Sequence, residues 1–154
     1  MRIRKATVGD AQAVLELHGR TVREVCGPDY SAEQIEAWLA GDSLVGVHRR
    51  IERGQVRVAV DESDRVLGFA ARSGDCIHAL YVAADHQGEG IGSALLAQLE
   101  ADAREEGVAE LTAHSTVTAA GFYAKHGYEV GQQVDCPVSR DIPVEAFGVR
   151  RRLL

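Results

Sequence analysis

Cysteine is scarce in this sequence, and none of its cysteines forms a recognisable pair. Cys26, Cys76 and Cys136 are far apart, and no two of them have the CxxC spacing of a zinc or redox pair. An odd number of cysteines without a disulfide framework is typical of a reducing compartment. We therefore expect a cytoplasmic protein without a metal site.

Long hydrophobic runs are missing too, and basic residues are in deficit. No apolar stretch approaches the roughly 18 residues of a membrane span, so we expect no membrane association. The chain has 17 lysines and arginines against 23 aspartates and glutamates, a net charge of −6. Nucleic-acid-binding domains are usually basic, so we expect no nucleic-acid partner. The tail VRRRLL fits either a basic patch or a solvated strand end.

Repeats, low-complexity tracts and linkers are also absent, which predicts one continuous domain over residues 1–154. Hydrophobic residues make up 45% of the chain and charged residues 26%. That balance is typical of a packed core rather than of disorder. A domain of this length is large enough to build a core without disulfides or metals.

Apolar periodicity and turn residues predict the element order β-α-α-β-β-β-α-β-α-β-β, an α/β mixture with antiparallel parts. RIRKAT predicts the first strand, and Asp10 is a candidate cap for the first helix, which ends near Cys26. Ser31 and Gln34 have capping-box spacing and open the second helix. Alternating runs on both sides of the polar turn DESD predict a hairpin.

The second half of the chain alternates strands with helices. CIHALYV predicts a strand buried on both faces, and a glycine-rich stretch leads from it into a helix that ends near Glu106. ELTAHS predicts another strand, and TVTAAGFYAKHG predicts a helix that stops at Gly127. YEVGQQVDCPV and VEAFGVRRRL predict the closing strands.

Three glycines, Gly88, Gly90 and Gly92, stand at the start of the long helix, where glycine weakens a helix. A helix N-terminus carries unpaired N–H groups and a partial positive charge, and glycine lets the backbone approach an anion closely. The spacing fits neither the phosphate loop GxxxxGK[ST] nor the dinucleotide fingerprint GxGxxG. By themselves, the glycines predict either a phosphate site or a plain strand-to-helix turn.

The stretch QGEGIGSALL resembles the coenzyme A loop of the GNAT superfamily of N-acetyltransferases. The pattern of that loop, Arg/Gln-x-x-Gly-x-Gly/Ala, is met by Gln87, Gly90 and Gly92. The stretch HALYV, which comes before the loop, is similar to the strand that precedes the loop in the family.

A second segment, AAGFYAKHGYEV, resembles the family pattern A-x-x-F-Y-x-x-x-G-F/Y at Ala119, Phe122, Tyr123, Gly127 and Tyr128. The three matches follow the family's order and span residues 76–130, so the chain is identified as a member of the superfamily. The stretch DYSAEQIEAWLAG further resembles small bacterial members whose substrate is unassigned.

The resemblance implies a mixed central sheet of six to seven strands, mostly antiparallel, flanked by about four helices. It also implies acetyl-CoA as cosubstrate, in a cleft where CIHALYV and ELTAHS splay apart. Backbone N–H groups from Gln87 to Gly92 would hold the pyrophosphate, and the strand from Leu80 to Val82 would bond the pantetheine arm. The Val82 amide would polarise the thioester carbonyl. The implied cofactor-binding residues are Leu80, Tyr81, Val82, Gln87, Gly88, Glu89, Gly90, Ile91, Gly92, Ser93, Thr116, Ala119 and Phe122.

One position departs from the family pattern. Many members carry an asparagine three residues before the alanine of the second segment, where it contacts the cofactor. Here that position is Thr116, with Ser115 beside it. Either hydroxyl would bond the pantetheine or a phosphate, or else the HST stretch caps the following helix.

Two residues are candidates for proton transfer. Tyr123 stands where the family often places the acid that protonates the departing thiolate; alternatively it is a packing aromatic. His78 lies two residues before Leu80, which predicts a shared strand face. IHALYV also resembles arylalkylamine-acetylating members, which use a histidine here to remove the amine proton; alternatively His78 is a core histidine. Weaker candidates for the base are Asp75, His114 and Glu24.

The acceptor side would be built by the first two helices and the late strands. Candidate residues there are His18, Glu24, Tyr30 and Trp38, although the helical spacing of Trp38 also fits a core position. Either Glu24 or Asp29 would hold an ammonium group.

The resemblance therefore implies direct transfer of acetyl from acetyl-CoA to a primary amine of a small molecule in a ternary complex. A ping-pong route through Cys76 is a weaker alternative. Two other functions stay open: acetylation of a protein N-terminus or lysine, and a non-catalytic coenzyme A-binding regulatory module. A homodimer is compatible with each of them.

Overall fold

The computed structural model describes residues 1–135 and 142–154. Its seven strands form one sheet in the order β1-β2-β3-β4-β5-β7-β6. The strands are β1 (Arg2–Lys5), β2 (Val56–Val60), β3 (Val66–Ser73), β4 (Cys76–Val82), β5 (Glu110–Thr116), β6 (Glu129–Asp135) and β7 (Glu145–Arg152). The helices are α1 (Ala11–Thr21), α2 (Ala32–Leu39), α3 (Leu44–Glu52), α4 (Ile91–Glu105) and α5 (Ala120–Lys125).

The sheet is mixed, as the sequence predicts. Every neighbouring pair of strands is antiparallel except β4 and β5, which run parallel and are connected through α4. A parallel pair needs a crossover connection, and α4 supplies it. The predicted end of the first closing strand, Cys136 to Val138, lies outside the described residues.

One predicted feature is wrong: the described residues contain five α-helices, and the element order has a third helix before β2. That helix is α3, whose N-terminus is capped by the Ser43 hydroxyl accepting from the Gly46 N–H at 3.0 Å. Val47 and Ile51 face the sheet, four residues apart. The sequence therefore contained a signal for this helix: Ser43 as a cap, followed by the apolar residues Val47 and Ile51 at i, i+4 spacing.

Asp10 plays a different part from the predicted helix cap. It ends a short 3₁₀ turn, Val8–Asp10, and its side chain makes no capping bond to α1. Its carboxylate instead accepts from the Thr7 backbone N–H at 2.7 Å and pairs with Arg4 at 2.7 Å. By contrast, the Ser31–Gln34 capping box of α2 is confirmed, with bonds of 3.1 and 2.9 Å.

Helices cover both faces of the sheet. On one face, α4 packs Leu95, Leu96 and Leu99 against alternate residues of the central strands. On the other face, α1 and α3 bury Val14 and Ile51 against the remaining alternate residues. Because strand side chains alternate between faces, the central strands contribute side chains to the core on both sides of the sheet.

Candidate functional site

The sheet opens between β4 and β5. These strands pair only at Cys76 with Thr112 and at Ile77 with Ala113, near their N-terminal ends. Beyond Ile77 they splay apart, as predicted for CIHALYV and ELTAHS. The splay exposes backbone groups of β4 to a cavity of about 280 Å³, which we name the loop cleft.

The loop cleft brings together most of the predicted cofactor-binding residues. Its lining includes Leu80, Tyr81, Val82, Gln87, Gly88, Gly90, Ile91, Gly92, Ser93, Thr116, Ala119 and Phe122, with both catalytic candidates, His78 and Tyr123. Glu89 is not part of this lining; its carboxylate lies 3.1 Å from the ring of His86 at the surface.

The glycine loop brings backbone N–H groups to one end of the loop cleft. Gly88 and Gly90 have φ values of 77° and 83°, a left-handed conformation that glycine adopts without strain. Gly90, the N-cap residue of α4, has no side chain to cap the helix, so it leaves the first N–H groups available for an anion. Gln87 anchors the loop, because its side-chain amide donates to the Val82 carbonyl at 2.7 Å.

The backbone N–H groups of β4 point alternately toward β3 and toward the loop cleft. The Ala83 N–H donates to the Leu67 carbonyl at 2.8 Å. In an antiparallel pair every second residue bonds the neighbouring strand, so Tyr81, two residues earlier, also turns its N–H group toward β3. Leu80 and Val82 consequently turn their N–H groups toward the loop cleft. These two amides, rather than three consecutive ones, are positioned to bond an extended ligand.

Tyr123 lies at the base of the loop cleft. Its ring is buried against Phe122 and Tyr128, with ring centroids 5.5 and 5.3 Å apart. Within residues 1–135 and 142–154 no group hydrogen-bonds its hydroxyl, although every fully buried polar side-chain atom there has a partner. The hydroxyl therefore opens to the cleft. Burial raises the pKa of Tyr123 above its usual value, so the phenol stays protonated at neutral pH.

Thr116 and Ser115 both take part in the turn before α5. The Thr116 hydroxyl accepts from the Ala119 N–H at 3.0 Å, which is a helix-start bond. The Ser115 hydroxyl is buried and donates to the Thr116 carbonyl at 2.8 Å. The capping alternative thus has direct support, while Thr116 also lines the loop cleft.

A second, larger cavity of about 570 Å³ lies across the sheet from α4, under α1, α2 and α3. We name it the helix cavity. It meets the loop cleft along the splayed strands, because His78, Tyr81, His114 and Thr116 line both cavities. Two ligands, one in each cavity, would meet at these residues.

His78 occupies a β-bulge in β4. Ala71 pairs with Ala79 and Arg72 pairs with Ile77, so His78 has no partner on β3. The bulge interrupts strand alternation, and the predicted shared face with Leu80 is therefore wrong. Bulges often re-aim a side chain at a functional site, and here the bulged residue lies where the two cavities meet.

The imidazole of His78 is half-exposed and hydrogen-bonds the Ser73 hydroxyl through Nε2. Partial burial, with the nearby charge of Arg50, lowers its pKa below 6.5, so the ring is neutral at pH 7. A neutral imidazole can accept a proton. Cys76 lies 3.8 Å from the other ring nitrogen, and burial raises the pKa of its thiol.

His18 is held in the helix cavity by aromatic rings and a carboxylate. Its Nδ1 lies 2.6 Å from an Asp42 carboxylate oxygen, and its ring packs edge-on against Tyr81 with centroids 4.5 Å apart. Tyr30 and Trp38 line the same cavity, as predicted. Tyr30 also contacts β7, since its hydroxyl donates to the Glu145 carbonyl at 2.6 Å.

Two other acceptor-side candidates lie outside the helix cavity lining. Glu24 lies just beyond the end of α1 and pairs with Arg20 of that helix at 3.3 Å, with about half of the Glu24 side chain exposed. Asp29 accepts from the Thr118 hydroxyl at 2.6 Å. Neither carboxylate faces the helix cavity, so the prediction that one of them holds the acceptor's ammonium group has no geometric support.

Sequence reasoning missed Asp42 and Arg50, both of which line the helix cavity. They belong to the segment of α3, which was not predicted. Ser43, Val47 and Ile51 carried the signal for that helix, and Arg50 lies one residue from Ile51.

The comparisons identify the family. The model of the acetyltransferase (GNAT) domain matches residues 26–136, most of the chain. This chain belongs to the GNAT acetyltransferase family. The assignment confirms the N-acetyltransferase class and the acetyl-CoA cosubstrate expected from the sequence. None of the curated proteins compared matches the sequence.

Solved structures share the fold of this acetyltransferase. A GCN5-related N-acetyltransferase from Rhodopseudomonas palustris is 28% identical, with a TM-score of 0.90, over 98% of this chain and 94% of that one. PaiA N-acetyltransferase from Thermoplasma acidophilum, solved with coenzyme A, is 21% identical, with a TM-score of 0.78, over 98% of both chains. Ribosomal-protein-alanine N-acetyltransferase from Brucella melitensis is 24% identical, with a TM-score of 0.73, over 99% of both.

Two negative observations apply to the part of the chain that the structure describes. No helix in it is both long enough and apolar enough to cross a membrane. No group of three or more histidine, cysteine, aspartate or glutamate side chains is arranged to hold a metal ion there.

Proposed function

We propose that this acetyltransferase moves the acetyl group of acetyl-CoA directly to a primary amine of a small molecule in a ternary complex. The observation that carries the proposal is the meeting of two cavities at His78 and Tyr81, one beside the glycine loop and one under the helices. A donor and an acceptor can occupy them at the same time, so no covalent enzyme intermediate is needed.

Acetyl-CoA fits the loop cleft. The uncapped N-terminus of α4 and the glycine loop offer N–H groups to the pyrophosphate. The outward amides of Leu80 and Val82 are positioned for the pantetheine arm. Placing that arm along β4 directs the thioester toward the meeting point of the cavities. The Val82 amide can then stabilise the oxyanion that develops on the thioester carbonyl.

His78 is the proposed base. An alkylammonium ion cannot attack a thioester, so the amine must first lose a proton. Neutral His78 accepts that proton, and the amine nitrogen bonds to the thioester carbon. As the tetrahedral intermediate collapses and the carbon–sulfur bond breaks, the second proton of the nitrogen replaces the proton that Tyr123 gives to the sulfur. The proton on His78 is then released to solvent. The products are the amide, coenzyme A and one released proton.

Tyr123 is the proposed acid. Its hydroxyl opens to the loop cleft and stays protonated because burial raises its pKa. It donates a hydrogen bond to the leaving sulfur and passes its proton as the thiolate forms.

A ping-pong route through Cys76 is disfavoured, because burial raises the thiol pKa and reduces the thiolate fraction.

A peptide acceptor is the main alternative function. The neighbour from Brucella melitensis is named for a ribosomal protein substrate, but its identity of 24% supports the shared fold alone. The helix cavity favours a small acceptor, because its volume is about 570 Å³ and the packed rings of Trp38 and Tyr30 line it. The non-catalytic alternative predicts loss of the acid and base, and both Tyr123 and His78 are present. The cytoplasmic location and a homodimeric assembly also remain proposals.

The test is a screen of purified protein with acetyl-CoA against amines, amino acids, polyamines, aminoglycosides and peptides, read by thiol release. Tyr123→Phe should lower kcat by about 10²-fold or more, the usual worth of a positioned proton donor. Because no group in the described part of the chain hydrogen-bonds this hydroxyl, coenzyme A affinity and Tm should stay close to wild type. Unchanged turnover would remove Tyr123 as the acid, and acetylation of peptides alone would replace the small-molecule acceptor.

A further inference from the structure

Arg50 lines the helix cavity without an ion-pair partner among the described residues. Arg50 lies on α3 with its side chain half-buried, and among the described residues it is the one arginine or lysine in the cavity lining. Two other partly buried arginines, Arg4 and Arg57, and the buried Arg72 each pair with a carboxylate. No carboxylate in residues 1–135 and 142–154 forms an ion pair with Arg50.

The carboxylates of the helix cavity have other partners. Asp42 lies 2.6 Å from the imidazole of His18, and Glu145 accepts from the side-chain amide of Gln34 at 2.9 Å. Both bonds tie together elements that frame the cavity: α1 with the start of α3, and α2 with β7. Arg50 is therefore left facing the cavity space.

A guanidinium group in such a position favours an anion. Its planar fork of N–H donors matches the two oxygens of a carboxylate, and a partly desolvated cation gains more from pairing than an exposed one. Arg50 is also close enough to His78 for its charge to lower the pKa of that imidazole. An anion on Arg50 therefore lies near the point where the amine is deprotonated.

We propose that the acceptor is a small amine that also carries a carboxylate, as an amino acid does, and that Arg50 binds this carboxylate. The inference rests on the proposed function and names its substrate class. With the carboxylate on Arg50 and the amine at His78, the apolar part of the acceptor would contact Val47 and Phe69 in the same cavity. Arg50 is thus a specificity-determining residue.

The test uses matched acceptor pairs, each an amino acid and its carboxamide, which differ by the negative charge. The carboxamide has the less basic amine, so intrinsic reactivity near neutral pH favours it. We expect wild-type kcat/KM, from thiol release, to be about 10- to 100-fold higher for the acid, the usual worth of hydrogen bonds to a charged group. In Arg50→Gln this ratio should fall to one or below, through a higher KM for the acid alone.

Two further variants serve as controls. Arg50→Lys keeps the charge but loses the fork, so it should retain part of the preference. Arg49→Gln removes the neighbouring charge on the exposed side of α3 and should leave the ratio unchanged. The KM for acetyl-CoA should be the same in all variants.

The outcomes separate the two proposals. If amines are acetylated with an acid-to-amide ratio near one, or if Arg50→Gln lowers both substrates equally, the carboxylate inference is wrong and the proposed function stands. If no small amine in the panel releases thiol, with or without a carboxylate, the proposed function fails and this inference fails with it.

Discussion

At the scale of single residues, a bulge in β4 determines where the proposed base, His78, lies. It leaves His78 without a partner on β3 and places it where the loop cleft meets the helix cavity. A regular strand would have aimed this side chain at one face of the sheet. His18 is a second histidine near the acceptor, but it lines the helix cavity alone and is tied to Asp42.

The role of His78 predicts the acid side of the pH–rate profile. Partial burial and Arg50 lower its pKa below 6.5, so the base is neutral at pH 7 and becomes protonated as pH falls through that lowered pKa. Wild-type kcat/KM should therefore fall only below about pH 6.5, the reference pKa of histidine. His78→Ala should lower the rate at neutral pH and flatten this limb.

His18→Ala is the matched comparison for that profile. It should raise the acceptor KM, because the ring packs against Tyr81 in the helix cavity, yet keep the acid limb. If the acid limb persists in His78→Ala and disappears in His18→Ala, then His18 is the base and His78 is not.

At the scale of elements, the approach of α4 to the sheet depends on Gly68 in β3. A Cβ atom at this position would lie 3.0 Å from the Tyr81 carbonyl oxygen and 3.2 Å from Ile91 and Leu95 of α4. Since α4 begins at the glycine loop, its distance from β3 and β4 also sets the position of that loop beside the loop cleft.

Gly68→Ala should therefore destabilise the fold by about 1–3 kcal/mol, the usual cost of overpacking a core. The measurement is the free energy of unfolding from urea titration. Gly121→Ala is the control, because a Cβ in that exposed position of α5 meets nothing within 4 Å. It should stabilise the protein slightly, by up to about 1 kcal/mol, since alanine favours helix more than glycine does. Equal stability of Gly68→Ala and wild type would show that α4 can shift outward without cost.

At the scale of the whole molecule, the sheet consists of two halves with a narrow junction. Strands β1 to β4 form one half and β5, β7 and β6 form the other. Between them are the two residue pairs of β4 with β5, with α4 packed across the junction. A ligand in the loop cleft contacts both halves, so binding and global stability should be coupled.

Coenzyme A should raise the Tm of the protein. A ligand at 100 times its Kd stabilises the folded state by about 2.7 kcal/mol. For a domain of this size, that corresponds to a shift of about 5–10 °C in a thermal melt. Gly90→Glu should abolish the shift, because the carboxylate repels the pyrophosphate at the loop.

Gly90→Ala separates backbone strain from charge repulsion. Any side chain at φ 83° is strained, so the alanine variant should melt at a lower temperature without ligand. Its Cβ meets nothing within 4 Å, so the shift caused by coenzyme A should persist. A full shift in Gly90→Glu would show that the pyrophosphate lies elsewhere.

The sequence by itself determined the local features and the family. Alternation, helix periodicity and glycine positions predicted the strands and most of the helices, because each of these signals lies within a few neighbouring residues. The motifs around Gly90 and Tyr123 identified the superfamily and the glycine loop in the same way. Helix α3 was missed although its cap at Ser43 was present, because its short apolar pattern is interrupted by polar residues.

The tertiary structure alone decided the composition of the acceptor side. The bulge at His78 arises from the way β3 pairs with β4. This pairing cannot be derived from the sequence of β4 alone. The pairing of His18 with Asp42 joins residues 24 positions apart. Arg50 faces the cavity with no ion-pair partner in the described part of the chain, because the carboxylates in the cavity lining are bonded elsewhere. Such contacts depend on how helices pack on the sheet, and this packing links residues that are distant in the chain.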